Sequence, residues 1–457
     1  MAKTLSVIIP VHNKASSLPL MLESVRRQRL THDKFELIIV TDRCTDESPL
    51  IIEEFQRNFV ADLVTISSEE GSAARARNLG IREATGDYYL FLDADVLTPP
   101  DLFIKLIRQL HAGPNAVFLV PIYGNSGSSS IWPFMVLDHD AWRSMDTTQL
   151  VKWAVTQTNL KDLRIDFADT ADGSFDHLPA PWVFCWSSAM AISRELMGVV
   201  GGFNPVFAGK GSEDLELGYQ LHKFGASFRL SLETHALHLP HWRDRNNEEL
   251  NDKLHEREML KQHPTREVET LCAFDGAHAN PMLKLLEDVN ANTMSHLSGS
   301  LSKCAHPEKL NLPRSVELII GASPYWLLEL VTPSYVIHPC DERKDGNFPL
   351  LGFALPFDDG EFATAILMGL WQLLPERLAC RQIDEALRVA TAVYLIKDKE
   401  LRNFMPISAE QLAIHDAPYW ERTHPLRRSY YDFKLTPCGT DGSLYSFRVE
   451  RSSGEAG

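Results

Sequence analysis

The chain has 457 residues, of which 44% are hydrophobic and 23% are charged, a balance that is typical of globular proteins and excludes a disordered or fibrous one. Its length predicts two to three domains, and two is our working number. The formal charge of −16, without any basic run, disfavours nucleic acid and anionic membrane surfaces as partners. A divalent cation between carboxylates and phosphates would still allow such an acidic chain to bind a diphosphate.

Cysteine usage and apolar segments predict the compartment. The seven cysteines are odd in number, widely spaced and without a CxxC pair, so we expect reduced thiols. No signal peptide is recognised before the apolar segment Leu5–Ile9. The later apolar stretch Ala363–Leu374 is far shorter than the roughly 20 residues that span a bilayer. We therefore expect a cytoplasmic protein without a transmembrane segment, and peripheral membrane contact stays open.

Four apolar segments alternate with helical patterns in the first hundred residues. They are Leu5–Ile9, Leu37–Val40, Leu63–Ile66 and Tyr88–Leu92, and the first helical interval has apolar residues at Leu18, Met21, Leu22 and Val25. This order predicts an α/β fold with a doubly wound, mostly parallel sheet. Ligands of such sheets bind at the carboxyl ends of the strands, which here are Pro10-Val11-His12-Asn13, Thr41-Asp42-Arg43 and Asp93-Ala94-Asp95.

The rest of the chain shows two further regions. A Gly/Ser-rich loop from Tyr123 is followed by a strand at Ser187–Ile192, a turn at 201–205 and a helix at Glu213–Phe224. A charged helix, Asn246–Lys261, begins a connector. A second α/β alternation starts near Leu312, with strands at 316–320, 335–337, 363–368 and 392–396 and a closing hairpin at 430–435 and 443–449.

Asp93 and Asp95 close the apolar strand YYLFL. Residues i and i+2 of a strand project to the same side, so the two carboxylates stand together at the ligand-binding edge. Paired like charges are costly unless a cation neutralises them, and a hard divalent ion prefers oxygen ligands. The alternative is a strand-ending turn with two solvated aspartates. The pattern therefore favours a site for Mn²⁺ or Mg²⁺ only together with other motifs.

The segment from Gly71 to Asp95 and the PVHN strand end resemble the nucleotide-sugar glycosyltransferases of family 2 and their relatives with the A-type transferase fold. The resemblance implies a UDP-sugar donor. It implies that Asp93, Ala94 and Asp95 bind the metal and the ribose, and that Ala74 and the stretch Ala76-Arg77-Asn78 lie beside the nucleotide. The residues that would hold the uracil and ribose are Pro10, Val11, His12, Asn13 and Asp42.

A second block, GGFNPVFAGKGSEDLELGYQLHKF from Gly201 to Phe224, resembles the C-terminal catalytic segment of galactosyl- and N-acetylhexosaminyltransferases, including bacterial chondroitin-type polymerases. Ser212 is placed to cap a helix whose first turn carries Glu213 and Asp214, and a helix N-terminus stabilises negative charge. The resemblance makes Asp214 the general base, while Glu213 orients the acceptor or the donor sugar. The alternative is ordinary helix capping, but the preceding Gly-rich loop favours a closing substrate loop.

Three histidines follow this block. Related enzymes place a metal-binding histidine 25 residues after the Glu of the ED pair, which corresponds to His238 here. His235 and His241 are alternatives. Imidazole suits Mn²⁺ better than Ca²⁺, so the predicted metal ligands are Asp95, His238 and Asp93.

These motifs predict a metal-dependent hexosyltransferase that moves a sugar of the galactose or N-acetylhexosamine type from a UDP-sugar to an acceptor hydroxyl. The acceptor stays open among saccharides, lipid-linked glycans, peptides and small molecules. One in-line displacement would invert the anomeric centre, although a related retaining family shares the histidine spacing. Trp182, Phe184 and Trp186 either stack on sugar rings or belong to the core. The segment Tyr123–Pro133 is a candidate lid or acceptor loop.

Residues 312–457 faintly resemble the class I methyltransferase fold in LPFDDGEFATAILMGLWQLLP, the helix IDEALRVA, the strand VYLIKD and the closing hairpin. Their first strand ends in Ile320-Gly321-Ala322-Ser323-Pro324 and lacks the GxG turn that lets a backbone approach a cofactor. We therefore expect a degenerate domain that does not bind S-adenosylmethionine and serves assembly, acceptor positioning or homodimer formation. The predicted division is 1–250 catalytic, 251–311 helical connector and 312–457 methyltransferase-like.

Three alternatives accompany this interpretation. The chain could be a bifunctional glycosyltransferase and methyltransferase, which binding of S-adenosylmethionine would support. It could be a catalytically inactive sugar-nucleotide-binding scaffold, which the retained candidate base disfavours. A nucleotidyltransferase is disfavoured because the first strand ends in PVHN and not in a Gly-rich loop with a basic residue.

Overall fold

The computed structural model describes residues 3–124, 145–207, 211–239, 245–284 without 275 and 277, 286, 304–338 without 322–324 and 332, 346–401 without 375, and 433–451. The chain forms two compact units, Met1–His255 and Glu256–Gly457, called the first and second unit below. Most of the candidate loop Tyr123–Pro133, residues 208–210 of the Gly-rich loop, and His241 lie outside the described residues.

The first unit opens with alternating strands and helices: β1 (Leu5–Val11), α1 (Leu18–Arg26), β2 (Phe35–Asp42), α2 (Ser48–Arg57), β3 (Asp62–Ser68), α3 (Ala73–Glu83) and β4 (Tyr88–Leu92). All of β2, and all of β1 except Pro10, is buried, as expected for central strands of a parallel sheet. The four apolar residues that predicted α1 are buried along one helix face.

The later elements of this unit are β5 (Val96–Leu97), α4 (Leu102–Ala112), β6 (Ala116–Leu119), β7 (Ile122–Tyr123), α5 (Thr147–Ala154), β8 (Ala189–Ser193), α6 (Arg194–Val200), α7 (Glu213–Lys223), β9 (Ser227–Leu230) and β10 (Ala236–His238). Short 3-10 turns lie at Thr158–Leu160, Leu163–Asp166 and Pro181–Phe184. Helix α8 (Arg245–Gln262) spans the residues at which the two units meet in sequence.

The main sheet has the strand order β3-β2-β1-β4-β8-β6-β9. Its pairs are parallel except for those that β8 makes with β4 and β6. The expectation of an α/β unit with a parallel-rich sheet is therefore confirmed. Gly80 allows α3 to lie directly on β1, because a Cβ there would stand 2.4 Å from Ile8 Cγ2. A second sheet, β5-β10-β7, follows the end of β4.

The second unit has its own mostly parallel sheet. Its elements are α9 (Arg266–Phe274), β11 (Leu318–Gly321), α10 (Tyr325–Leu330), β12 (Tyr335–Ile337), β13 (Asn347–Phe348), β14 (Phe362–Met368), α11 (Leu370–Leu373), α12 (Glu376–Val389), β15 (Ala390–Asp398), β16 (Phe433–Asp441) and β17 (Leu444–Arg451), with a 3-10 turn at Pro307–Leu310. The order is β13-β12-β11-β14-β15-β17-β16. The last two strands are antiparallel and form the hairpin around Gly442, whose φ of +60° suits glycine.

Two further expectations concern membrane-spanning helices and the state of the cysteines. No helix within the described ranges combines the length and apolar character that a membrane span requires. The six cysteines that the structure describes are all free thiols, and Cys340 lies outside the described residues.

Candidate active site

The carboxyl ends of β1 and β2 meet at one edge of the main sheet, where Val11 pairs with Thr41. The His12 ring Nδ1 lies 2.7 Å from the carbonyl oxygen of Asp42. A carbonyl can only accept, so Nδ1 carries the proton in this contact. The Asp42 carboxylate accepts hydrogen bonds from the backbone N–H groups of Gly71 at 2.9 Å and Ser72 at 2.7 Å. Asp42 therefore fixes the loop that precedes α3.

Asn13 makes the turn that follows β1. Its φ of +51° lies in the left-handed region that asparagine tolerates. Its Oδ1 accepts a hydrogen bond from the Thr45 N–H at 2.7 Å, which ties the turn to the segment after β2. The side chain of the next residue, Lys14, hydrogen-bonds Asp95.

Arg77 of α3 is buried and contacts both sequence blocks. Its Nη1 donates to Glu213 at 2.8 Å, and its Nη2 donates to Asp93 at 3.0 Å. Burial opposes the charge of Arg77, but Asp93, Glu213 and Asp214 outweigh it and raise the pKa of the guanidinium. This arginine is therefore a fixed positive charge between the carboxylates.

Asn78 and Ala74, the other residues of α3 that were predicted to flank the nucleotide, have different surroundings. The Asn78 side chain donates to the Phe203 carbonyl at 2.7 Å and accepts from the Phe203 N–H at 2.9 Å. Ala74 is fully buried. Asn78 thus anchors the start of the second block to α3.

Asp93 and Asp95 have different partners at the end of β4. Asp93 donates its backbone N–H to the Ser188 carbonyl at 2.9 Å and pairs its carboxylate with Arg77. Asp95 is 2% exposed, and its two carboxylate oxygens contact Lys14 Nζ and, at 3.5 Å, His238 Nε2. The two aspartates are therefore not equivalent, since Asp95 is the one that faces an imidazole.

The pairing of β5 with β10 brings His238 to Asp95. His238 lies opposite Val96, and the Leu239 N–H donates to the Asp95 carbonyl at 2.7 Å. His235 instead packs edge-on against Tyr123 with ring centroids 5.9 Å apart, and burial lowers its pKa. Of the two histidines that the structure describes in this segment, His238 has the position that the predicted spacing requires.

The metal-ligating atoms at this site fit a divalent cation that the protein and a diphosphate would bind together. Asp95 and His238 supply the oxygen and nitrogen ligands that suit manganese. Asp93 is engaged by Arg77, and among the described residues no group of three or more carboxylate, imidazole or thiol side chains is already spaced to hold a metal. Phosphate oxygens and water usually complete the coordination of such ions.

Asp214 lies in the first turn of α7. Its carboxylate accepts hydrogen bonds from the N–H groups of Ser187 at 3.1 Å and Leu215 at 2.9 Å. Burial, and after it the charge of Glu213, raise the pKa of Asp214 to about 7, although the hydrogen bond from the Ser187 N–H favours the ionised form. A carboxyl with a pKa near 7 can accept a proton from a hydroxyl at neutral pH.

The predicted capping role of Ser212 is wrong. Ser212 occupies the N-cap position, but its side chain makes no capping hydrogen bond. Its φ of +63° is left-handed, whereas a capping serine normally has an extended backbone. Glu213 instead accepts a hydrogen bond from the Gly211 N–H at 3.1 Å.

A cavity of about 520 Å³ in the first unit collects these groups. It is lined by Pro10, Val11, His12, Lys14, Asp42, Arg43, Gly71, Ser72, Ala73, Ala76, Arg77, Asp93, Ala94, Asp95, Trp186, Ser187, Ser188, Gly211, Glu213, Asp214 and His238. Asn13, Ala74 and Asn78 are not among its lining residues. The volume is within the range of small-molecule sites.

The three candidate aromatic residues divide between core and cavity. Trp182 and Phe184 are buried in the core, whereas Trp186 lines the cavity. The guanidinium carbon of Arg164 lies 4.5 Å from the centroid of the Trp186 ring. Arg164 is itself fully buried and paired with Asp162 at 2.7 Å. A buried ion pair therefore lies behind the Trp186 indole that lines the cavity.

Sequence reasoning missed Lys14 and the cavity-lining pair Ser187 and Ser188. Lys14 directly follows the PVHN strand end, so its position offered a signal. The two serines stand at the start of the predicted strand Ser187–Ile192. The contact of Ser187 with Asp214 and that of the Ser188 carbonyl with the Asp93 N–H depend on tertiary packing that the sequence pattern does not show.

Residues 6–164 match the sequence model of the family described as Glycosyl transferase family 2. Validoxylamine A glucosyltransferase of Streptomyces hygroscopicus subsp. jinggangensis is 29% identical over 241 residues, which cover 52% of this chain and 56% of the relative. Chondroitin synthase of Escherichia coli is 26% identical over 232 residues, which cover 49% of this chain and 33% of the relative.

The crystal structure of S. aureus TarS 1-349 in complex with UDP-GlcNAc has a TM-score of 0.42 at 17% identity, covering 65% of this chain and 73% of that chain. The chain spans about half the length of the first curated relatives that it matches. The expected enzyme class, a glycosyltransferase, is confirmed at the level of the matching domain. The first unit is thus similar to glycosyltransferase family 2 over residues 6–164.

Proposed function

We propose that the first unit transfers a hexosyl group from a UDP-sugar to an acceptor hydroxyl with inversion of the anomeric centre. The observation that carries this proposal is the composition of one cavity. Its lining combines the ends of β1 and β2, the Asp93–Asp95 turn, His238 and the candidate base Asp214. A donor site and a proton acceptor within one cavity are what a transferase requires, and a binding-only protein would not need the base.

Asp95 and His238, with Asp93 as a further candidate, would hold Mn²⁺ or Mg²⁺. When bound, such an ion supplies electrostatic stabilisation of the charge that develops on the leaving diphosphate. Arg77 contributes fixed positive charge beside Asp93 and Glu213. His12, Asp42 and the loop that Asp42 fixes are proposed to receive the nucleoside.

Asp214 is proposed as the general base. The acceptor oxygen forms a bond to the anomeric carbon, its proton passes to Asp214, and the bond to UDP breaks with its electron pair on the diphosphate. General base assistance of this kind contributes on the order of 10²–10⁴ in rate. Glu213 is held by Arg77 and the Gly211 N–H, so it is proposed to orient a substrate hydroxyl and not to take the proton.

The substrates are proposed by class. The motifs favour galactose or an N-acetylhexosamine as the transferred sugar, and the name of one relative denotes glucosyl transfer to validoxylamine A. The name of another relative denotes synthesis of chondroitin. We therefore propose a saccharide or a saccharide-like natural product as the acceptor, in bacterial glycan or natural-product biosynthesis.

The second unit is proposed to be a methyltransferase-like domain that does not bind S-adenosylmethionine and that serves assembly or acceptor positioning. Its sheet order with a closing antiparallel pair supports this proposal. The proposal includes the division of the chain into a catalytic domain (1–250), a helical connector (251–311) and a methyltransferase-like domain (312–457). Calorimetric titration with S-adenosylmethionine tests it, and heat of binding would favour a bifunctional enzyme.

Calorimetric titration of UDP with and without Mn²⁺ tests the proposed transferase. We expect metal-dependent binding by the wild type and loss of that dependence in Asp95→Ala. A panel of UDP-glucose, UDP-galactose, UDP-GlcNAc and UDP-GalNAc then identifies the donor. Absence of UDP binding in every condition would refute the proposal.

A further inference from the structure

The ammonium group of Lys14 contacts Asp95, a proposed metal ligand. Its Nζ donates a hydrogen bond to Asp95 Oδ2, on the carboxylate whose other oxygen faces His238. The Asp95 side chain is 3% exposed and that of Lys14 is 20% exposed. A buried carboxylate requires a positive partner, and Lys14 supplies one at the position where a divalent cation would bind.

The backbone of Lys14 is held on both sides, so only its side chain is free to adjust. Its N–H donates to Ser48 Oγ at 2.9 Å. Its carbonyl accepts from the N–H groups of Ser17 at 3.0 Å and Leu18 at 2.9 Å, at the start of α1. The ammonium therefore sits at the end of a flexible four-carbon stem on a fixed base.

The other cationic side chains of the cavity differ from Lys14. Arg77 is 5% exposed and already engaged by Asp93 and Glu213. Arg43 packs along Gly71, where an added Cβ would stand 2.2 Å from Arg43 Nη1. Lys14 is the only lysine among the described residues that line the cavity.

We infer that Lys14 competes with the divalent cation for Asp95 and binds the diphosphate of the donor. This inference rests on the proposed function. A carboxylate that is shared with a divalent cation attracts an ammonium group less, and the two positive charges repel each other at short range. The diphosphate is the strongest anion that the donor brings into the cavity, and lysine binds phosphate as a point charge. Lys14 thus lowers the affinity of the nucleotide-free site for the metal and raises the affinity of the site for the nucleotide.

The test measures two affinities of the full-length chain. Free Mn²⁺ is followed by electron paramagnetic resonance during titration without nucleotide, and UDP binding is followed by calorimetry in excess Mn²⁺. The variants are Lys14→Met and, in case that protein does not fold, Lys14→Gln. The matched control is Lys105→Met, because Lys105 is 29% exposed, pairs with Asp101 at 2.8 Å and does not line the cavity.

We expect Lys14→Met to bind Mn²⁺ on the order of tenfold more tightly and UDP on the order of tenfold more weakly, while Lys105→Met matches the wild type. Opposite changes cannot result from general damage to the fold, which would weaken both ligands. Equal weakening of both, or no difference from the control, would overturn the role of Lys14 and leave the transferase proposal intact. A wild type that binds neither Mn²⁺ nor UDP would instead overturn the proposed function and, with it, this inference.

Discussion

The guanidinium of Arg77 joins two sequence motifs, because it donates to Glu213 Oε1, 136 residues further along the chain, over 2.8 Å while its other terminal nitrogen donates to Asp93. Strand β4 and helix α7 are thereby linked through α3. These ion pairs hold the helix that carries the candidate base Asp214 next to the candidate metal ligands. Its removal would leave two carboxylates facing each other with no cation between them.

We expect Arg77→Met to lower the free energy of unfolding by about 3–5 kcal/mol, because breaking a buried ion pair leaves uncompensated buried charge. Urea unfolding of the full chain, followed by tryptophan fluorescence, measures the change. Arg75→Met is the control, since Arg75 lies on the same helix and pairs with Glu70 at 42% and 48% exposure. That exposed pair should contribute about 0–1 kcal/mol. Equal effects of the two variants would contradict a buried network.

Asp214→Asn should lower kcat by roughly 10²–10⁴ while the affinity for UDP stays unchanged, because the variant removes the base and leaves the nucleotide contacts. In the wild type, activity should rise with pH as Asp214 loses its proton, with an apparent pKa of about 7. The measurements are kcat and the pH dependence of kcat/KM, each in both the wild type and the variant. An unchanged pH profile in Asp214→Asn would assign the base to another residue.

The same substitution should affect stability in the opposite direction. The pKa of Asp214 is raised from 3.8 to about 7 by burial and by Glu213, so the folded chain holds a proton that the unfolded chain releases between these values. Ionisation of Asp214 therefore costs stability as the pH rises towards 7. Asp214→Asn should increase the free energy of unfolding at about pH 8 and change it little at about pH 4. A loss of stability at both pH values would indicate that the carboxylate has a structural role.

Trp186→Ala should raise the KM for the acceptor by about threefold to tenfold, because an aromatic face contributes roughly 0.5–1.5 kcal/mol beyond the area that it buries. Initial rates at varied concentrations of a saccharide acceptor, with the donor that the UDP-sugar panel identifies, provide the measurement. UDP binding by the same variant is the control, and it should match the wild type. Weaker binding of both the acceptor and UDP would mean that Trp186 maintains the structure of the whole cavity.

The sequence patterns located the strand ends well, because apolar runs stop where the chain leaves the sheet. Asp42, Asp93 and Asp95 follow such runs, and all three line the cavity. Local patterns could not show which aspartate faces a histidine. That difference depends on the pairing of β5 with β10, which opposes His238 to Val96.

Side-chain partners across long separations were also beyond prediction. Arg77 pairs with Asp93 and Lys14 pairs with Asp95, so each of the two carboxylates has its own cationic partner, which the strand pattern did not indicate. The Ser212 cap failed for a local reason, since its left-handed backbone is a conformation that serine rarely adopts and that only the folded loop imposes.

Gly218 of α7 lies where the helix that carries Asp214 packs on the 3-10 turn Pro181–Phe184. A Cβ there would stand 2.6 Å from Cys185 Cβ and 2.9 Å from the Trp182 carbonyl oxygen, and both neighbours are buried. Gly218→Ala should therefore lower the free energy of unfolding by about 1–3 kcal/mol through overpacking. It should also lower kcat more than it weakens UDP binding, because the displaced helix moves Asp214.

Gly198→Ala is the matched control, because Gly198 lies within α6 and a Cβ there would meet no atom within 4 Å. Replacement of an unconstrained helical glycine should raise the free energy of unfolding by about 0.5–1 kcal/mol. The two Gly→Ala variants are thus expected to shift the urea midpoint in opposite directions, and kcat should fall in Gly218→Ala alone. A shift in the same direction for both would mean that α7 can move away from the turn at little cost, and that close packing there does not hold Asp214 in place.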